Sequence, residues 1–145
     1  MEIFNFIKKN SILEIEQFIQ NGGDVNKKKD KYGYSPLMVA LNINNKDKDI
    51  IKLLLDNGAD VNTISNYGMT PLMVAFNINN KKDKDIIKLL LDNGADVNAQ
   101  DYDGRTPLLF AVLNNYDKDI IQLLVDTGAN DNLETIKDQL KFRGY

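Results

Sequence analysis

The chain contains no cysteine, no histidine and no tryptophan. Without cysteine there is no disulfide, no thiolate metal ligand and no sulfur nucleophile. Without histidine the usual general base, the commonest metal ligand and every serine–histidine pairing are gone. Arginine is scarce, with two residues against sixteen lysines. Together with the many asparagines and isoleucines, that bias resembles the output of an AT-rich genome. No apolar run approaches the ~20 residues that span a bilayer. Residues 1–10 do not read as a signal peptide, and no Asn-x-Ser/Thr sequon occurs. These absences fit an intracellular, cytoplasmic protein. A net charge of −3 argues against a nucleic-acid or anionic-membrane binder, which needs a basic face.

Proline is also sparse, and its three copies are informative. Pro36, Pro71 and Pro107 lie 35 and 36 residues apart, each inside a recurring phrase. Tyr32-Gly33-Tyr34-Ser35-Pro36-Leu37 returns as Tyr67-Gly68-Met69-Thr70-Pro71-Leu72 and as Asp103-Gly104-Arg105-Thr106-Pro107-Leu108. A second phrase follows at matched distance, from Ile50 to Asn62, Ile86 to Asn98 and Ile120 to Asn132. Periods of this size denote stacked units, none of which can bury its apolar face alone. At 145 residues with 43% hydrophobic content, the chain is long enough for one continuous core.

Each unit reads as helix, turn, helix, loop. Ser35, Thr70 and Thr106 suit an N-cap, and the proline after each suits the first helical position, where a missing N–H costs nothing. Small Ala40, Ala75 and Ala111 recur where helices must approach closely. After polar turns at Asn44–Lys46, Asn79–Lys82 and Asn115-Tyr116, Asp47, Asp83 and Asp117 cap a second helix. Asp49, Asp85 and Asp119 then face the positive end of its dipole. In that helix Ile50, Leu53 and Leu54 define an inward face, and Ile51 and Leu55 a second stripe. Gly58, Gly94 and Gly128 end it in the left-handed conformation, and an extended finger follows. Residues 1–29 form a degenerate N-terminal capping unit, 30–64, 65–100 and 101–132 are full units, and 133–145 hold a short C-terminal capping helix.

Thr70-Pro71-Leu72 with Ala75, Ile87-Lys88-Leu89-Leu90-Leu91 and Gly94-Ala95-Asp96-Val97-Asn98 carry a resemblance to the ankyrin repeat family. It covers roughly residues 2–132. The resemblance implies an all-α ankyrin-repeat solenoid of about four stacked helix-turn-helix units with projecting hairpin-like fingers. It also implies a concave face of fingers and first helices that binds another protein. Two departures stand out. Met38, Met73 and Leu109 occupy the position where the family places a histidine that ties adjacent loops. The units also run two or three residues beyond the family's usual period, with the excess in the inter-helix turn, which implies a lengthened first helix or a bulged turn.

On that face the positions that vary while their neighbours repeat are Lys31, Tyr32, Tyr34, Asn66, Tyr67, Met69, Tyr102, Asp103 and Arg105 on the fingers. Asn42, Ile43, Asn77, Ile78, Leu113 and Asn114 vary at the ends of the first helices. Tyrosine, methionine and arginine at solvent-facing positions match the residues enriched at protein interfaces. The bland alternative is that Tyr32 and Tyr67 brace adjacent fingers by stacking. Lys27, Lys28, Lys29 and Lys31, flanked by Asp24 and Asp30, read as a solvated loop. Asp101-Tyr102-Asp103-Gly104 fails as a calcium loop, because Ala99 and Phe110 stand where oxygen ligands are required. Asn26, Asn62 and Asn98 lie in the context that asparaginyl hydroxylases modify in this family, and turn geometry alone accounts for them.

The expectation is therefore a non-enzymatic protein-binding module, monomeric when free, with no cofactor and no metal. The alternative is a steric inhibitor or a viral or bacterial host-directed effector, delivered into a host cell, that occludes a target enzyme. Self-assembly into a structural oligomer is a third reading.

Overall fold

The computed structural model describes residues 2–28, 31–43, 47–76, 83–131, and residues 134, 136, 138 and 141. They form helices α1 (Glu2–Lys8), α2 (Ile12–Gln20), α3 (Pro36–Asn42), α4 (Lys48–Asp56), α5 (Pro71–Ala75), α6 (Lys84–Asp92), α7 (Pro107–Leu113) and α8 (Lys118–Asp126). Glu134, Ile136, Asp138 and Lys141 are also helical, and Ile136 is buried. No extended strand occurs among the described residues.

Capping sets where the helices begin. The hydroxyls of Ser35, Thr70 and Thr106 accept from the amides of Met38, Met73 and Leu109, three residues on. The carboxylates of Asp47, Asp83 and Asp117 likewise accept from first-turn amides of α4, α6 and α8. Each such cap is worth about 1 kcal/mol. At the other end, the Gly94 N–H reaches Leu91 O at 3.0 Å and the Ala95 N–H reaches Leu90 O at 3.0 Å. This closed turn requires the left-handed φ of +85° that Gly94 adopts. Asn10 and Asn115 take over that role after α1 and α7, at φ 57° and 53°. Asparagine tolerates this region better than other side chains.

Packing then stacks the units. The first helix of each unit packs on its own second helix, and α1, α3, α5 and α7 touch in series. The inner first helices are buried nearly all round, with Leu37, Met38, Leu72, Met73, Val74 and Leu109 inaccessible to solvent. Ala40, Ala75 and Ala111 are buried as well, and their small side chains permit the close approach. Each buried aliphatic side chain contributes about 1.5–3 kcal/mol of transfer free energy, so the serial contact supplies most of the stack's cohesion. Met38, Met73 and Leu109 fill the position of the absent histidine by packing. The Thr70 N–H also donates to Met73 Sδ at 3.5 Å.

Two sequence expectations need correction, and a third is narrowed. Leu53, Leu89 and Leu123 are only half-buried, whereas Ile50, Ile51, Leu54 and Leu55 form the inward surface of α4. A nine-residue helix pressed between two neighbours buries a broad stripe, and the leucine lies at its edge. Tyr116 is not part of a polar turn. It is 8% exposed, sets its ring edge-on against Phe76 at 4.9 Å, and donates its hydroxyl to Ala75 O at 3.1 Å. The first helix of the middle unit is not lengthened, because α5 ends at Ala75. The turns at 44–46 and 77–82, like parts of 133–145, lie outside the described residues.

Along the outer rim, Asn10 donates to Asp47 (3.0 Å), Lys48 to Asp85 (2.8 Å) and Lys84 to Asp119 (3.3 Å), linking successive units. The Lys48 ammonium holds the Asp85 carboxyl below its ordinary range, and Asp85 in turn raises Lys48. Both groups are largely exposed, so these links orient the units more than they stabilise them.

Candidate interaction surface

The fingers are assembled from side-chain-anchored turns. In the second finger the Gly68 N–H meets Ser65 O and the Ser65 N–H meets Met69 O, both at 3.0 Å, while Ser65 Oγ accepts from the Tyr67 and Met69 amides at 3.2 Å. Asp101 does the same in the third finger. Its Oδ1 accepts from the Asp103 and Arg105 amides at 3.0 and 2.8 Å, and its Oδ2 accepts from Arg105 Nε. These buried anchors thrust the residues between them, Asn66-Tyr67 and Tyr102-Asp103, out into solvent.

Neighbouring fingers are joined at the tips. The Asn66 N–H donates to Tyr32 O at 3.0 Å, the Asn66 side-chain amide to Lys31 O at 2.6 Å, and the Tyr102 N–H to Tyr67 O at 3.2 Å. Such approach leaves no room for side chains behind the tips. A Cβ on Gly68 would lie 2.8 Å from the Tyr102 backbone nitrogen, and one on Gly33 would lie 2.4 Å from Asn66 Oδ1.

On this frame the tyrosines form an exposed row, with Tyr32 44%, Tyr67 53% and Tyr102 71% accessible. Tyr32 and Tyr67 stack at 6.4 Å with 29° between their planes, Tyr34 tilts against Tyr32 at 6.5 Å, and the Lys31 ammonium sits 5.1 Å above the Tyr32 ring. Burial, with a smaller effect from Tyr67, raises the Tyr34 hydroxyl above its ordinary pKa. The stacking read as the bland alternative is real, and it leaves about half of each ring open.

The remaining predicted residues divide. Asn42 and Asp103 are exposed, while Tyr34, Met69, Ile43 and Leu113 are half-buried against the core. Asn114 folds its amide back onto Phe110 O at 2.8 Å. Asn77 and Ile78 lie outside the described residues. Arg105 is not a solvent-facing side chain. It is clamped by Asp101, reaches Asp103 at 3.2 Å, and lies 5.0 Å from the centre of the Phe110 ring. That clasp also explains why Asp101 and Asp103 make no calcium loop. Among the described residues no group of three or more His, Cys, Asp or Glu could hold a metal ion. Nor is any helix long and apolar enough to cross a membrane.

Two features escaped the sequence reading. Ile64 is an exposed apolar side chain on the second finger, and its carbonyl accepts from Lys28 Nζ at 2.7 Å, so one lysine of the cluster ties fingers together. Asn26, Asn62 and Asn98 also do more than turn the chain. Their side-chain amides donate to Gly58 O, Gly94 O and Gly128 O, each at 2.9 Å, and their oxygens accept from the Asp60, Asp96 and Asn130 amides. The recurrence of one asparagine per unit was the available signal.

A family model described as ankyrin repeats in three copies matches residues 4–101 and 45–135. The chain belongs to the ankyrin repeat family. No curated protein matches it. Ankyrin repeats are in general protein–protein interaction modules and typically not enzymes.

Proposed function

We propose that this ankyrin stack is a non-catalytic docking module that holds one protein partner across its fingers and the adjoining ends of its first helices. The observation that carries the reading is the row of half-open tyrosine rings on three hydrogen-bonded fingers. A tyrosine held by a neighbour loses little conformational freedom on binding and offers a broad amphipathic face, which is why tyrosine is enriched at interface hot spots. The carboxylates of Asp47, Asp83 and Asp117 are engaged as helix caps and that of Asp101 as a turn anchor.

The test replaces Tyr32, Tyr67 and Tyr102 with alanine and measures the affinity of a partner recovered from the native cell. Loss of at least about 2 kcal/mol of binding, with helical circular dichroism retained, is the expected result. Unchanged affinity with intact helicity would remove the finger face from the interaction.

A further inference from the structure

The three fingers differ in charge in a fixed order. Across residues 27–34, four lysines against Asp30 leave a net charge of +3, residues 63–70 carry none, and across 99–106 Asp101 and Asp103 against Arg105 leave −1. Lys27, Lys28 and Lys31 are exposed, in a protein whose net charge is −3. Lys28 is committed to Ile64 O and Lys31 is held over the Tyr32 ring, so these two cations of the first finger are held in place. The middle finger presents Tyr67 and Ile64. The last presents Asp103, while its arginine is clasped between two carboxylates.

We propose that the partner is an extended acidic–aromatic protein segment that crosses the fingers in one direction. Its carboxylates lie at Lys27 and Lys31, its flat apolar side chains on Tyr32 and Tyr67, and a cationic residue at Asp103. This rests on the docking surface proposed above and adds the chemistry and polarity of its occupant. Complementary charge fixes register and excludes reversed segments, because like charges brought together at either end are repelled. A uniform polyanion such as nucleic acid fits poorly, since its far end would meet Asp103 on an acidic protein.

The probe is acetyl-Glu-Glu-Glu-Ala-Tyr-Ala-Tyr-Ala-Lys-Lys-amide, titrated into the isotope-labelled full chain at low salt while backbone amide shifts are followed. Its charge-swapped counterpart, with lysines and glutamates exchanged, and a short oligothymidine are the comparisons. The expected result is movement of the amides around Tyr32, Asn66 and Tyr102, with binding about tenfold tighter than for the swapped peptide. A Lys27→Glu/Lys31→Glu variant, whose undisturbed amide spectrum certifies its fold, should lose that preference. Equal or tighter finger binding by the swapped peptide overturns the charge order and leaves the docking surface standing. Binding by oligothymidine as tight as the acidic peptide overturns the choice of a protein segment. Shifts confined to residues away from the fingers count against both the polarity and the surface, and no shift with either peptide at millimolar concentration overturns the inference.

Discussion

The side-chain amide of Asn62 donates to the carbonyl of Gly94, 32 residues downstream, at 2.9 Å. Its oxygen accepts from the Asp96 N–H at 2.7 Å, while Asp60 fixes the Asn62 backbone N–H at 2.9 Å. One side chain thus satisfies a donor and an acceptor freed where the next unit's second helix ends. Asn26 and Asn98 repeat the pattern on either side.

Replacing Asn62 with alanine removes both links between the middle units. Water can reach the released groups, so the cost per bond stays near the ordinary net value, giving about 1–2 kcal/mol in all. Urea denaturation should show a lower midpoint with a single transition. An unshifted midpoint would mean that the Asn62 bonds contribute nothing to the coupling of the units.

Gly68 and Gly94 both have positive φ, at 74° and 85°, yet their surroundings differ. A methyl group on Gly94 meets nothing within 4 Å, whereas on Gly68 it strikes the Tyr102 ring at 2.7 Å and its backbone at 2.8 Å. Gly94→Ala should therefore cost about 1 kcal/mol from backbone strain alone. Gly68→Ala should cost clearly more and should shift Tyr102 fluorescence. Gly94→Val should exceed ~1 kcal/mol, because a β-branched residue is poorly tolerated at positive φ. Thermal melts of the three variants give the order directly.

The Asp101 side chain is fully buried, accepts two amide N–H groups and pairs with Arg105. Asp101→Ala strands those donors and leaves a partly covered guanidinium without its main partner. A cost of about 2–3 kcal/mol is expected, below the full value for a deeply buried pair because Arg105 retains some solvent. Asp103→Ala, at the exposed tip, should change stability by less than about 0.5 kcal/mol. Chemical denaturation of both variants checks the contrast.

The elements that repeat were the ones legible in advance. Three copies of Ser/Thr-Pro-Leu and three of Asn/Thr-Gly pin helix starts and stops, because capping and φ preferences are local chemistry. The finger tips were legible as surface because they vary. What the sequence hid was pairing at a distance. Nothing within the Asn62 neighbourhood announces Gly94, and Arg105 looked exposed until Asp101 was seen to lie beneath it. Tyr116 misled for the same reason: flanked by asparagine and aspartate, it reads as turn, yet the unit before it offers Phe76 and the Ala75 carbonyl.

Tyr116 also gives the stack a pH dependence at its alkaline edge. Burial, reinforced by the negative charge of Asp83, pushes its hydroxyl up to about 12 from 10.0. In the unfolded chain the phenol ionises near its ordinary value, so above that pH unfolding releases a proton and is favoured. The stabilisation is fully present below pH ~10 and is lost as pH rises from ~10 towards ~12, by about 2–3 kcal/mol in total. Lysines titrate in the same range, so the measurement is the difference between the wild type and Tyr116→Phe in urea midpoints at pH 8 and pH 11. At pH 8 the variant should be less stable by about 1 kcal/mol, the worth of the bond to Ala75 O. At pH 11 that gap should close or reverse, since the phenyl ring keeps its packing on Phe76 and has no proton to lose. A gap of the same size at both pH values would mean that the Tyr116 hydroxyl ionises equally well in the folded and unfolded chain.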